Sequence, residues 1–328
     1  MCIEIFPLSN YFSLYIKMPY TLVLNSDNVI STNNTTYKYN FINGSFVVPE
    51  NSEMCVSQIV MPYSFFNINK GLYNNNSFNY YWDGVLYKMI FKDGFYSVSD
   101  LNQYMEATFL SLNQYLVNTA TGFNQYFISI QSNQTYYANQ FIMYPIPTSL
   151  PSGFSAPSGF VYSSTGNTPQ VVISSSNNFG SIIGFTAGTY PSLAQTATYN
   201  VLSNVTPNAT PVNSIVVRCN MINNACTFPT DILDVFSINT SFGSSITYSP
   251  PYEKWVSVSE GSYASMTVTL EDQNFGVIEA NDSNVLIALL LRVGKKREMK
   301  QTVVNKPLVP IIKQLKFRDE NDKDDEGD

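Results

Sequence analysis

The sequence predicts a mainly β protein: a sandwich of short antiparallel strands with one covering amphipathic helix and a long loop-rich insertion. Three observations predict it. Many segments alternate apolar and polar residues with a period of two, as strands buried on one face do. Only one stretch carries a helical period. A segment rich in Pro, Ser and Gly interrupts the alternating pattern. With 328 residues, the chain can enclose one sizeable core or two modest ones.

Taken in order, the opening MCIEIFPLSNYFSLYIK is apolar but holds Glu4 and Pro7 and lacks a basic leader. It is expected to be neither a signal peptide nor a membrane span. Residues 1–17 are read as a loosely ordered extension, and alternation begins at Met18 with MPYTLVLN. In TYKYNF, Tyr37, Tyr39 and Phe41 share a face. In NSIVVRCNMI, Ile215, Val217, Cys219 and Met221 do so, and in ASMTVTL, Met266, Val268 and Leu270. Further strands are expected near residues 21–25, 46–48, 54–62, 78–82, 85–91, 126–131, 140–144, 170–173 and 246–249. The run NVLIALLLRV, Asn284 to Val293, is apolar on both faces. It is short for a helix and follows the polar turn EANDSN, so it reads as a central strand of a packed sheet. A short buried helix is the alternative.

The helix is expected in KDGFYSVSDLNQYMEATFLSLNQYL, where Leu101, Tyr104, Met105, Thr108, Leu112 and Leu116 fall on one face. Ser97, three residues before Asp100, resembles a capping box. Residues 145–212, from PIPTSLPSGFSAPSGF to SNVTPNATPVN, read as the insertion between core strands. Residues 18–293 form the main domain in this reading. Residues 294–328, from the basic GKKREMK to the acidic DENDKDDEGD, form a partly disordered tail.

Charged residues make up 12% of the chain and the net charge is −7. That share is about half the usual one for a soluble domain. The tail holds 9 of the 17 Lys and Arg, so the body carries 8 cationic against 16 acidic residues. Such a body is unsuited to wrapping nucleic acid. There are 23 Tyr and 22 Phe, and a sparsely charged surface rich in Tyr and Asn loses little hydration when a partner protein or a carbohydrate covers it.

No histidine is present, which excludes Ser-His-Asp and Cys-His nucleophile systems and the commonest transition-metal ligand. Cys2, Cys55, Cys219 and Cys226 are scattered, with no CxxC pair, and are expected to be buried free thiols. The stretch GSIIGFTAGTYPS looks like a phosphate loop, but no lysine lies between Lys92 and Lys254, and Gly180, Gly184 and Gly188 miss the dinucleotide spacing. Those glycines are read as turn formers. The nearest acid pairs are Asp231 with Asp234, Glu271 with Asp272, and Glu279 with Asp282. The first is expected to support a helical first turn and the others to face solvent, so no catalytic pair is assigned. The chain is read as a non-enzyme with no cofactor, metal, small-molecule substrate or membrane span. Tyr63, Phe65 and Phe66 in MPYSFFNIN, and Tyr252 and Trp255 in SPPYEKWVSVSEGSY, exceed the needs of one core and are the interface candidates.

Several segments carry a family resemblance in their order: MPYTLVLNSDNVI, ENSEMCVSQIVMPYSFFNI, DGFYSVSDLNQYMEATF, NNFGSIIGFTAGTYP, VNSIVVRCNMINN, PTDILDVFSINTSFGSSITYSPPYEKWVSV and NVLIALLLR. Over Met18 to Arg292 the chain resembles the minor capsid (penton) proteins of virophages and polinton-like viruses. The resemblance implies a single jelly roll of two four-stranded antiparallel sheets. It further implies homopentamers at the fivefold vertices of a virion, against the major capsid protein, with a spike or fibre protein as a further partner. In that setting Lys295, Lys296, Arg297 and Lys300 are candidates for contact with the particle interior or a neighbouring capsid protein. The alternative is a receptor- or carbohydrate-binding β-sandwich of a viral spike, with its binding loops in 145–212.

Overall fold

The computed structural model describes residues 19–293. Eight strands build two sheets: β1 (Tyr20–Leu24), β2 (Thr36–Asn40), β3 (Glu53–Pro62), β4 (Ser214–Cys219), β5 (Ile232–Ser237), β6 (Ser245–Tyr248), β7 (Ser265–Asp272) and β8 (Leu286–Arg292). One sheet runs β1-β8-β3-β6, with the short strand Val256–Ser257 also on β3, and the other runs β2-β7-β4-β5. All neighbours are antiparallel. The pairings 1–8, 2–7, 3–6 and 4–5 are those of one long antiparallel ribbon rolled up on itself, which is the jelly roll.

The alternation read in the sequence sets the inner faces. Leu24, Ile59, Met61, Ile246, Ile287, Leu289 and Leu291 from one sheet meet Tyr37, Ile215, Val217, Met266, Val268 and Leu270 from the other. All are buried. The run at 284–293 is the central strand β8, so the short-helix alternative falls. Between Ala288 and Leu289 the register with β3 shifts by one residue, which lets Val56 and Ile59, three apart, both face inward. The sandwich closes along one side by Phe236 stacking on Tyr248 at 4.5 Å, and along the other by Phe41 stacking on Phe46 at 5.2 Å.

Between β3 and β4 the chain leaves both sheets and builds a second hydrophobic core. Phe78, Tyr80, Trp82, Phe91, Phe109, Phe127, Phe141, Phe179 and Phe185 lie at its centre. Small antiparallel sheets surround it. One places Gln170–Ile173 against Ser77–Trp82, which pairs with Val85–Ile90; another places Ala138–Met143 between Ile128–Asn133 and Tyr199–Leu202. The helix α1 (Val98–Ser111) packs on Ile128–Asn133. Its first turn has the expected capping box between Ser97 and Asp100, and Leu101, Met105 and Phe109 form its buried stripe. Leu112 lies past the end of α1, where Asn113 turns left-handed, and is 39% exposed.

The insert therefore spans about residues 63–213 on the sheet topology, and the expected 145–212 is only its second half. Period alone could not separate the two parts, because the strands within residues 77–143 alternate just as the jelly-roll strands do. The expectations for residues 1–17 and 294–328 lie outside the described residues.

The glycine-rich stretch is architectural. Gly184 ends the short helix α2 (Phe179–Ile183) in the left-handed region at φ 82°, where a side chain would be strained and would press on the Val205 carbonyl. Gly180 lies against the Phe185 carbonyl and Ile173 with no room for a Cβ.

Candidate assembly surfaces

Alternation fixes which side chains the β1-β8-β3 sheet shows outward. With Ile287, Leu289 and Leu291 turned in, Leu286, Ala288 and Leu290 turn out. They pair with Val60, Gln58 and the fully buried Cys55 of β3 and with Val23 and Thr21 of β1. Val23 is 48% exposed and Leu286 39%, and Val60, Ala288 and Leu290 are half-buried. No Asp, Glu, Lys or Arg stands among these positions. The outer face is an apolar stripe that ends at the Glu53–Arg292 pair. Sequence reasoning read the two-faced apolarity of β8 as burial on both sides, and so passed over these residues as surface. The same two-faced pattern was the signal for them.

The predicted interface aromatics divide. Tyr63 and Phe65 are 5% and 3% exposed and belong to the jelly-roll core, packed on each other at 4.6 Å. They are corrected to core residues: both lie just past β3, where the chain dives under Phe95 and Phe242. Phe66 is half-buried near Phe242. Tyr252 is 68% exposed. Trp255 is half-buried, with the Arg292 guanidinium 4.2 Å from its ring and its Nε1 donating to Glu253. Arg292 in turn donates to Glu53 at 2.6 Å. This stack secures the end of the apolar stripe. Lys295, Lys296, Arg297 and Lys300 lie outside the described residues.

The acidic residues are held in ion pairs and turns. Asp231 and Glu271, 13 and 53 residues from Arg218, clamp its guanidinium at 2.8 and 2.9 Å. Hydrogen bonds to Asp231, then to Glu271, hold that guanidinium in its charged form. Asp234 lies in β5 and accepts from Lys254 Nζ at 2.9 Å and the Tyr248 hydroxyl at 2.7 Å. The expected helical turn at Asp231–Asp234 is replaced by strand, because Val217 and Arg218 of β4 pair with Asp234 and Ile232. Glu279 accepts from Asn69, and Asp272 caps its own turn from Asn274 and Gly276. Among the described residues no group of three His, Cys, Asp or Glu is placed to hold a metal, and no helix is long and apolar enough to cross a membrane.

Burial, then Glu253, pushes the Cys55 thiol up to about 11, and burial pushes Cys219 up to about 12; Cys226, expected to be buried, is exposed, because it lies in the turn between β4 and β5. A maleimide applied to folded protein carrying Cys2→Ser is expected to modify Cys226 alone, because the other two stay protonated and covered. Intact mass before and after denaturation reads this. Native modification of Cys55 or Cys219 would contradict the packing.

No family model and no curated protein matches the chain. Among solved structures, the chain is similar to the mavirus penton protein at 10% identity and TM-score 0.39, covering 84% of this chain and 97% of that one. It is also similar to a chain of the Sputnik virophage at 12% identity and TM-score 0.33, with the same two shares covered. The jelly-roll assignment stands on the strand order and register of this chain.

Proposed function

We propose that the chain is a viral structural protein, a minor capsid subunit that forms homopentamers at the fivefold vertices of an icosahedral shell and packs there against the major capsid protein. The observation that carries this reading is the jelly roll with an uncharged apolar stripe on the outside of one sheet. Exposed apolar surface of that kind marks a contact site. A closed ring needs each subunit to offer two different, complementary faces, and the stripe serves as one of them. Function then resides in packing geometry, with the acids spent on holding strands together. The family resemblance of the sequence supports the penton role within that class, and with it a place in the virion.

Sedimentation or native mass measurement of the purified protein tests the reading. A five-copy species is expected at micromolar concentration. Leu286→Glu, which puts a charge in the stripe at a partly exposed position, is expected to convert it to smaller species while circular dichroism and melting stay close to wild type. A wild-type chain that remains monomeric at high concentration would overturn the proposal.

A further inference from the structure

Beyond α1's Glu106 the insert loses its charge. From Ala107 to Val217 the chain contains no Asp, Glu, Lys or Arg. Within this uncharged stretch a 3-10 turn at Gln134–Tyr136 joins the strands Ile128–Asn133 and Ala138–Met143. Between that hairpin, the start of α1 and the returning chain at Pro207–Ala209 lies a pocket of about 220 Å³. Ser132, Asn133, Gln134 and Tyr137 bring hydroxyls, amides and a ring to it, and Pro207 and Ala209 form an apolar wall.

Tyr137 is held at φ 49°, ψ 47°, a left-handed conformation that non-glycine residues seldom adopt and that recurs at ligand sites. That turn leaves its side chain 77% exposed at the pocket rim. The far wall is fixed: Asn67 Nδ2 donates to the Ala209 carbonyl at 2.8 Å, and Val205 N donates to Gly184 O at 3.0 Å. The backbone of that wall is therefore held in place.

We propose that this pocket binds the terminal ring of a neutral saccharide. A pyranose presents one C–H face and a rim of hydroxyls. The C–H face suits the negative face of an exposed aromatic ring, and amides and hydroxyls can both donate to and accept from the rim. Sialylated or sulfated glycans would require a cation, and the lining has none. The start of α1, where a helix attracts anions, is already taken by the Asp100 carboxylate on Ser97. At this volume the pocket is smaller than the roughly 300–1,000 Å³ of drug-sized sites, so it takes one ring, and the rest of the saccharide lies in solvent. The inference does not rest on pentamer formation.

The experiment uses the full chain on an array of oligosaccharides ending in galactose, glucose, mannose or N-acetylglucosamine, beside sialylated and sulfated ones. Saturation-transfer NMR with the free sugars at millimolar concentration covers weak binding. Saturable binding to a neutral terminus is expected. Tyr137→Gly, which relieves the left-handed backbone and removes the ring, is expected to weaken it at least tenfold without lowering the melting temperature. Tyr137→Phe retains binding, and Tyr252→Ala, in the jelly roll, leaves it unchanged. Absence of neutral-sugar binding in both assays, preference for charged glycans, or binding indifferent to Tyr137→Gly would overturn the proposal. Sedimentation of the same samples reports the assembly state separately.

Discussion

Leu289→Ala is expected to destabilise the jelly roll by about 2–5 kcal/mol, the range for emptying a buried leucine site. Leu289 is fully buried in β8, flanked by Leu22 of β1 and Val56 of β3. Strands on both sides limit how far the cavity can collapse, which places the cost toward the upper part of that range. Denaturant unfolding followed by tryptophan emission reads the effect locally. The chain has two tryptophans, and they fall one to each part: Trp255 on the jelly roll, Trp82 in the core of the insert. The Trp255 signal, isolated in a Trp82→Phe background, should shift to lower denaturant. A midpoint within experimental error of the parent would mean that β8 does not hold the sheet as described.

Trp82→Ala is expected to cost the insert about 3–5 kcal/mol while sparing the jelly roll. The indole meets Phe127 and Phe160 edge-on at 5.4 and 5.9 Å, and its Nε1 donates to the Val161 carbonyl at 3.1 Å. Truncation opens a cavity among rings that other rings already brace, and it strands a carbonyl. Hydrogen exchange should show lost protection in Ile128–Met143, while β3, β7 and β8 keep theirs. Trp255 should report an unchanged jelly-roll transition. Simultaneous loss of protection in both parts would show that the two cores melt as one cooperative unit.

How much of this was legible in the sequence depends on range. The strands were, because period two is local: β2, β4, β7 and β8 fall where alternation or two-faced apolarity put them. The cap of α1 was legible for the same reason. Partners distant in the chain were not. Nothing near Arg218 announces that Asp231 and Glu271 meet on it, and Asp234 read as a helical turn until Lys254 and Tyr248 reached it from beyond β5. Aromatic crowding in MPYSFFNIN could not tell inward from outward, so Tyr63 and Phe65 were mistaken for surface. The division into two cores was hidden because both use strands of the same period. The pocket at Tyr137 carried a faint local sign, two adjacent tyrosines at a hairpin turn, but its far wall comes from residues 207–209.

One consequence follows from the pairing of β1 with β8. β1 finds its neighbour β8 only after β2 to β7 and the whole insert have been made, so the β1-β8-β3 sheet cannot be completed while they are being translated. The insert is continuous in the chain and can condense earlier, while β1 waits with its backbone amides unpaired. Closure of so distant a pair makes folding slow, and the nascent protein spends that interval with its jelly roll unfinished beside a condensed insert.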